Sequence, residues 1–355
     1  MNTISRTRVE WLDILKGIAI ILVVLGHLPC VNGRSSAYNT LIYSFHMDLF
    51  FCISGYTASL SFAHNPSAKK FIWRRILTLL IPYLTWCIFR NFLFNAWDWN
   101  SAKNVFYSVW TGPGSLWFIP ALFFIQMVFV TYMVLTGKNA TKLRQFIVFI
   151  LVTLVILAYH RLGCRLIVNC LPEQPHYLTG IFRYYFAFYL GVFIFTNNDL
   201  WKKVINSKWI ITVCAFLFLL FAYRTQVIPF KIYGKILIGL CGVILVLKAL
   251  AFYPSEDTSI LSKNNHLILI RQLAYIGRHS LAVYLFSDFL LPRLPFIPDY
   301  AGCPEFVLGF GYSIIVCYLC IAFEHMVCLS PLMAFLFYGK LSKISNPSKT
   351  QVTIS

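Results

Sequence analysis

Long apolar segments recur along the whole chain and leave few ways for it to fold. Each is roughly 17 to 25 residues long, the length that an α-helix needs to cross the hydrocarbon core of a bilayer. The ten segments begin near Leu12, Leu41, Ile76, Leu116, Phe146, Ile181, Trp209, Ile232, Leu273 and Phe306. Lipid offers no hydrogen-bond partner to an open backbone, so segments of this kind fold as packed helices. The sequence therefore predicts an all-α polytopic membrane bundle of about ten transmembrane helices.

The distribution of Lys and Arg predicts the orientation of this bundle. If the N-terminus is cytoplasmic, the inner segments hold 17 cations: Arg6, Arg8, Lys69, Lys70, Arg74, Arg75, Lys138, Lys142, Arg144, Lys202, Lys203, Lys208, Lys263, Arg271, Lys340, Lys343 and Lys349. The outer loops hold seven: Arg34, Lys103, Arg161, Arg165, Arg224, Lys231 and Arg293. Cytoplasmic loops accumulate Lys and Arg, so this asymmetry favours ten spans with both termini cytoplasmic.

Composition excludes the soluble classes and favours one membrane domain. Hydrophobic residues make up 59% of the chain and charged residues 12%, against about 25% charged in soluble domains. The net charge of +18 would suit nucleic acid, but the cations are split among loops and no binding motif accompanies them. Arg6 and Arg8 precede an apolar core as in a signal peptide, yet no small-residue cleavage site follows. We expect a retained first helix, one domain over residues 1–340 and a cytoplasmic tail over 341–355.

The cysteines suggest neither a metal site nor a firm disulfide framework. Six lie in apolar runs, where Cys behaves as a small hydrophobe: Cys52, Cys87, Cys214, Cys241, Cys317 and Cys320. Four lie in or near the predicted outer loops, where one disulfide is possible: Cys30, Cys164, Cys170 and Cys303. No zinc-type pair of CxxC motifs occurs, and we expect no metal.

Three polar residues, Asp13, Lys16 and His27, lie within the first apolar segment. Eleven residues make almost three helical turns, so Lys16 and His27 face the same way, about 16 Å apart along the axis. Ionisable groups inside a span are costly and are functional candidates by default. The alternative is that Lys16 extends to the inner interface with Asp13 as its ion-pair partner, and that His27 is an interfacial residue.

The second apolar segment opens on the outer side with Phe45, His46, Met47 and Asp48. His46 should therefore lie at a depth similar to that of His27, so that two imidazoles could meet across neighbouring helices. Asp48 stands two residues after His46, and at that spacing on a helix it points elsewhere.

Basic and aromatic residues mark the membrane boundaries. Lys69, Lys70, Arg74 and Arg75 precede the third segment. They indicate either an ordinary inner loop or a phosphate-binding site, because Arg binds phosphate in a bidentate manner. The outer aromatic residues Trp97, Trp99, Trp110 and Trp117 are either belt residues or a surface that stacks on a sugar.

Five motifs together resemble acyltransferase family three, the integral-membrane enzymes that O-acylate sugars and other acceptors. They are RVEWLDILKGIAIILVVLGH from Arg8, FHMDLFFCISGY from Phe45, RRILTLLIPY from Arg74, GSLWFIPALFF from Gly114 and YIGRHSLAVYLF from Tyr275. Their order is that of the family. The first motif is the most specific, because an acidic residue, a cation and a histidine at this spacing in one membrane helix are not expected by chance.

The resemblance implies a donor, an acceptor and candidate site residues. The donor would be cytoplasmic acyl-CoA, with acetyl-CoA expected, and the acceptor a sugar in a glycan, in a lipid-linked precursor or in a surface polymer. The implied catalytic residues are His27 and His46. The implied donor-binding residues are Asp13, Lys16, Arg74 and Arg75, and Ser54 and Trp117 are candidates for substrate binding. The chain departs from many relatives at Asp48, where they have Pro, and at Ser287 and Asp288, where the last motif often ends in His.

Two function classes other than an O-acetyltransferase could also account for polar residues in the spans. A transporter or flippase for a glycan-related or anionic substrate also places polar residues in spans, but the halves of this chain show no matching broken segments. A membrane sensor or scaffold would tolerate the loss of His27. We expect a multi-pass protein of the bacterial cytoplasmic (inner) membrane, in contact with membrane lipid and compatible with a homodimer.

Overall fold

The computed structural model describes residues 10–31, 37–94, 101–112, 114–137, 140–163, 175–222, 232–250, 267–293 and 303–340, and all regular structure in these residues is helical. In chain order the α-helices are α1 (Glu10–Val31), α2 (Ala37–Tyr43), α3 (His46–His64), α4 (Ala68–Arg75), α5 (Ile81–Phe94), α6 (Ser101–Thr111), α7 (Phe118–Thr136), α8 (Lys142–Ala158), α9 (His176–Thr196), α10 (Asn198–Asn206), α11 (Lys208–Phe221), α12 (Ile232–Ala249), α13 (Leu267–Arg278), α14 (Ser280–Leu290), α15 (Cys303–Val327) and α16 (Pro331–Tyr338). Short π-helical turns occupy Ile76–Leu80 and Tyr159–Gly163, and 3-10 turns occupy Gly114–Trp117 and Leu291–Arg293. The predicted all-α class is confirmed.

Seven of the described helical segments are long and apolar enough to cross a membrane. They are Trp11–Leu28, Ala68–Phe92, Phe118–Thr136, Lys142–Leu162, Tyr177–Thr196, Ile232–Ala249 and Phe306–Val327. Helices α10 and α11 form one further crossing if they are counted together, although they bend by 68°. This confirms a polytopic membrane bundle, and the chain is an integral membrane protein.

Besides the bent segment of α10 and α11, two of the ten predicted segments differ from a simple apolar span. Helix α3 has 19 residues but begins with His46, Met47 and Asp48, all buried, which lower its apolar character. The segment near Leu273 is interrupted at His279, where φ is −101° and ψ is 12°. The resulting helices α13 and α14 have 12 and 11 residues, too few for either to cross about 30 Å of hydrocarbon alone. The number of ten crossings stays a prediction.

Helix α1 lies in the interior of the bundle. It packs against α2, α3, α13, α14 and α15, and Ala19, Ile20, Val24 and Leu25 along its middle are fully buried. The outer helices are different, since Leu219 of α11 is 78% exposed. Large apolar side chains exposed on a membrane bundle face lipid. The polar residues of α1 are therefore held inside the protein, with peripheral helices around them.

Two close helix crossings position α1 and α3, and each depends on glycine. A Cβ at Gly277 of α13 would overlap the backbone carbonyl of Asp13, and a Cβ at Gly17 of α1 would overlap that of Leu273. In the second crossing, a Cβ at Gly55 of α3 would overlap the backbone carbonyl of Phe188 of α9. Small residues let helix backbones approach in this way in membrane proteins.

The pairing of α3 with α9 is parallel. Phe51 stacks on Tyr184 with ring centroids 4.7 Å apart, and further along both helices Tyr56 contacts Phe195 at 5.3 Å. The opening turn of α3 and the first half of α9 therefore lie at the same end of the bundle. This end holds His46 and the side chains that surround it.

Candidate active site

Asp13 and Lys16 lie one turn apart on α1. The Asp13 carboxylate is 4.0 Å from the Lys16 ammonium, and Asp13 is buried whereas the Lys16 side chain is 31% exposed. This i,i+3 geometry fits the interpretation that Asp13 orients Lys16. Whether the pair also binds a donor stays a prediction.

His27 is held in one tautomer by its own helix. Its Nδ1 lies 2.6 Å from the backbone carbonyl oxygen of Val23. A carbonyl oxygen only accepts a hydrogen bond, so Nδ1 carries the proton and donates it. In the neutral ring the lone pair then lies on Nε2, and His27 can act as a base through that atom.

His46 has the same arrangement and is completely enclosed. Its Nδ1 lies 2.8 Å from the backbone carbonyl oxygen of Ile42, and only 2% of the residue is exposed. The same argument places its lone pair on Nε2. The two histidines thus present equivalent nitrogen atoms, each fixed by a bond to the preceding turn.

Tyr43 lies between the two imidazoles. Its ring centroid is 5.6 Å from that of His27 and 5.0 Å from that of His46. The sequence predicts similar depths for the two histidines but not the tyrosine between them. Tyr43 ends α2, and the two residues 44 and 45 turn the chain into α3, so the short connection brings all three rings together.

Helix α2 is fastened to the outer end of α1 near His27. The Asn39 side-chain amide donates a hydrogen bond to the backbone carbonyl of Gly26. A Cβ at Gly26 would lie 3.2 Å from Ile42 and 3.4 Å from the Tyr43 ring, so the glycine lets α2 approach closely. The contact sets the distance between Tyr43 and His27.

Arg74 and Arg75 form the last turn of α4. Arg74 is exposed, whereas the Arg75 guanidinium lies 4.6 Å over the ring of Phe71. The Nε atom of Arg75 is buried and has no hydrogen-bond partner among the described residues. Helix α4 packs against α7. The predicted role of the two arginines in phosphate binding stays a prediction.

The two substrate-binding candidates lie in different surroundings. Trp117 stacks on Tyr184 with ring centroids 5.5 Å apart, and its ring also closes over Gly180 of α9. One face of the indole is thus occupied by a protein ring. Ser54 is partly buried within α3, and its backbone carbonyl accepts a hydrogen bond from the Thr57 hydroxyl at 3.0 Å. No contact of either residue tests its predicted role.

The departures in the last motif are used for packing between helices. Asp288 of α14 forms an ion pair with Arg90 of α5 at 2.6 Å, and the neighbouring Ser287 is buried. The Arg90–Asp288 bond joins two elements that are far apart in sequence. A charged pair of this kind is not visible in the sequence, because neither residue has its partner nearby in the chain.

The cysteines agree with the sequence analysis where they are described. All six cysteines predicted within apolar runs are buried and form no disulfide with other described residues. The possible disulfide among Cys30, Cys164, Cys170 and Cys303 lies outside the described side chains, as do Trp97, Trp99 and the tail 341–355. Within the described part of the chain, no group of three or more His, Cys, Asp or Glu could hold a metal ion.

Comparison with known families gives the identity of the chain. A family model described as an acyltransferase domain, of acyltransferase family three, matches residues 9–322. The chain belongs to this family. The match covers all five motifs except Arg8, the first residue of the first motif, and it also covers the middle of the chain between the fourth and fifth motifs. It confirms the resemblance drawn from the motifs.

Two relatives of this acyltransferase family member are nodulation proteins. The nodulation protein NolL of Mesorhizobium japonicum is 30% identical over 213 residues, which are 57% of this chain and 52% of that protein. NolL of Sinorhizobium fredii is 46% identical over 82 residues, 21% of this chain and 22% of that protein. The chain thus matches about half or less of the length of these curated relatives. No solved structure is significantly similar to it.

Proposed function

We propose that this protein is a membrane O-acyltransferase that moves an acetyl group from cytoplasmic acetyl-CoA to a sugar hydroxyl in a cell-surface glycan or its precursor. The observation that carries the proposal is the fixed tautomer of His27, whose Nδ1 donates to the Val23 carbonyl at 2.6 Å. Family membership supports acyl transfer. A bacterial inner membrane, open to the cytoplasm on one side, suits both substrates.

His27 acts as the general base. Its Nε2 takes the proton of the acceptor hydroxyl while the hydroxyl oxygen attacks the thioester carbonyl carbon. The carbon–sulfur bond then breaks, and the coenzyme A thiolate leaves and takes up the proton. The products are an acetyl ester and free coenzyme A. His46, with its lone pair on Nε2, would accept a hydrogen bond from a second acceptor hydroxyl.

Lys16 and the inner arginines bind the charged end of the donor in this scheme. Lys16 and His27 are about 16 Å apart along α1, at 1.5 Å per residue. The phosphates of coenzyme A would lie near Lys16, Arg74 and Arg75, and the thioester near His27. An acceptor entering from the outer side would then meet the acyl group without a separate acyl carrier.

The test compares two histidines that share one local geometry. His64, exposed at the other end of α3, also bonds through Nδ1 to the carbonyl four residues earlier, at 2.8 Å. Membranes containing the wild-type, His27→Ala or His64→Ala protein receive acetyl-CoA labelled in the acetyl group, and label in the glycan fraction is counted. We expect His27→Ala to lose a factor of about 10² to 10⁴ in rate, the usual contribution of a general base, and His64→Ala to retain activity.

Each outcome bears on the proposal. Wild-type label in the glycan that disappears only in His27→Ala supports it. Normal labelling by a folded, inserted His27→Ala protein removes His27 from the mechanism. If the wild-type protein labels nothing, the chain is not an acetyltransferase of this kind. That result would support the transporter or the sensor alternative.

A further inference from the structure

Asp48 is a buried carboxylate whose oxygens find no hydrogen-bond partner in the described part of the chain. It lies in the first turn of α3, only 1% of the residue is exposed, and neither carboxylate oxygen has a partner among the described residues. Burying an unpaired acidic group costs free energy, so such groups are normally satisfied by a partner. The mechanism above makes no use of Asp48.

The carboxylate points at α12, which makes room for it with a glycine. A Cβ at Gly239 would lie 2.5 Å from Cγ of Asp48 and 2.8 Å from Oδ1. Any other residue at 239 would therefore push against the carboxylate. The side chain lies in the contact between α3 and α12, two residues after His46.

Two cations lie on the helices that pack against this part of α3. Arg183 precedes Tyr184 on α9, and Tyr184 stacks on Phe51, one turn after Asp48. Lys235 stands on α12 one turn before Gly239, whose ideal Cβ would overlap the Asp48 carboxylate. The Arg183 guanidinium is 4.9 Å over the ring of Tyr184, and its Nε is buried and unbonded within the described residues. Both carboxylate oxygens of Asp48 and the Nε atom of Arg183 are thus buried without a hydrogen-bond partner among the described residues.

An aromatic wall adjoins these polar groups. Tyr184, next to Arg183, stacks on Phe51 with ring centroids 4.7 Å apart and on Trp117 with ring centroids 5.5 Å apart. Phe51 follows Asp48 by one helical turn. Unused donors and acceptors beside aromatic rings are suited to a sugar, whose hydroxyls both donate and accept while its C–H faces pack on rings.

We propose that Asp48, Arg183 and Lys235 form the subsite that binds a hydroxyl-bearing sugar unit of the acceptor, a proposal that rests on the proposed function. Asp48 accepts hydrogen bonds from sugar hydroxyls, and Arg183 and Lys235 donate to sugar oxygens. His46 precedes Asp48 by two residues and faces a different side of α3, and the Tyr43 ring contacts both His46 and His27. The subsite therefore lies at the end of the bundle that holds both histidines.

The competing explanation is a structural charge pair. Removing one member of a buried pair leaves the other uncompensated, whereas removing both restores the balance. A structural role therefore predicts that the double variant Asp48→Asn with Arg183→Gln recovers what each single variant loses. A binding role predicts no recovery of acceptor affinity.

The experiment uses the full-length protein in lipid nanodiscs. The donor is acetyl-CoA with a labelled acetyl group. The acceptor is the glycan fraction of the source cells, and its concentration is expressed as hexose content. The transfer rate is measured at varied glycan concentration and, separately, at varied acetyl-CoA concentration. The proteins compared are the wild type, Asp48→Asn, Arg183→Gln and the double variant. The matched control is Asp288→Asn, which opens the Arg90–Asp288 pair between α5 and α14.

We expect Asp48→Asn to raise the half-saturating acceptor concentration at least about tenfold, as for a lost hydrogen bond to a charged group. The half-saturating acetyl-CoA concentration should change less than twofold, and the double variant should not recover. Asp288→Asn should leave acceptor saturation unchanged. Recovery in the double variant, or an equal rise in the acetyl-CoA requirement, overturns the proposal.

Two further readouts keep the test decisive. Lys235 is only partly buried, so Lys235→Gln should fold even if Asp48→Asn does not, and it should raise the acceptor requirement severalfold. An unchanged requirement in that variant counts against the subsite. Absence of any transfer by the wild type overturns the proposed function instead, so the two failures are distinguishable.

Discussion

At the scale of single residues, His27 and His46 each hold one tautomer before any substrate binds. Each donates from Nδ1 to a backbone carbonyl of its own chain, at 2.6 and 2.8 Å. The local helix geometry orients each ring, and no other side chain is needed to select the tautomer. A base fixed in this way needs little reorganisation during the reaction.

Lys16 belongs to the same scale, and its predicted role differs from that of His27. If Lys16 binds the charged end of the donor, remote from the reacting bond, Lys16→Ala should raise the half-saturating acetyl-CoA concentration more than it lowers the maximal rate. Steady-state kinetics at varied acetyl-CoA measures both. Lys16→Arg, which keeps the charge, is the control and should remain close to wild type. An equal loss of rate at saturating donor would contradict this role.

The sequence indicates some of these residues and misses others for a physical reason. Asp13, Lys16 and His27 stand out because ionisable groups in an apolar segment are costly wherever the segment packs. Tyr43 and Arg183 do not, because an aromatic residue at a helix end and a cation near a span boundary are ordinary. Their importance comes from contacts between separate helices, which one sequence does not record.

At the scale of helices, the glycine crossing between α1 and α13 fixes the helix that carries the candidate base. Gly17 and Gly277 bring the two backbones into direct contact. Asn39 holds the other end of α1 through Gly26. Both ends of α1 are thus attached, and the positions of Lys16 and His27 follow from these contacts.

Substitution of these glycines tests the crossing. Gly277→Ala should destabilise the protein by about 1–3 kcal/mol, because its Cβ would overlap the Asp13 carbonyl. Gly311 of α15 has no atom within 4 Å of its ideal Cβ. Gly311→Ala should therefore be neutral or slightly stabilising, since Ala favours a helix over Gly. Thermal unfolding in detergent measures both, and equal effects would contradict the close crossing.

At the scale of the whole molecule, each predicted apolar segment contains a helix, but several helices begin earlier than predicted, as at Ala68 instead of Ile76 and at Leu267 instead of Leu273. The break at His279 and the 68° bend between α10 and α11 are not predicted. Hydropathy averages over a window, so it does not register one residue that leaves the helix. Polar residues that open α3 are tolerated because the surrounding helices bury them.

The predicted orientation is testable with reporter fusions. A fluorescent protein that folds only in the cytoplasm should be bright at the C-terminus, and a phosphatase active only outside should be inactive there. The same phosphatase inserted after Gly112, which follows α6, should be active. This pattern is expected because inner segments carry the excess of Lys and Arg. Phosphatase activity at the C-terminus would reverse the topology.

The crossing at Gly17 and Gly277 has a consequence for how this gene can vary. Every single-nucleotide missense change in a glycine codon gives a residue with a Cβ atom. No such change at either position therefore preserves the space that glycine leaves. Each such change meets a backbone carbonyl of the other helix, which has no rotamer to adopt. Under selection for function, we expect random mutagenesis to retain glycine at both positions while lipid-facing residues of α8 and α11 vary.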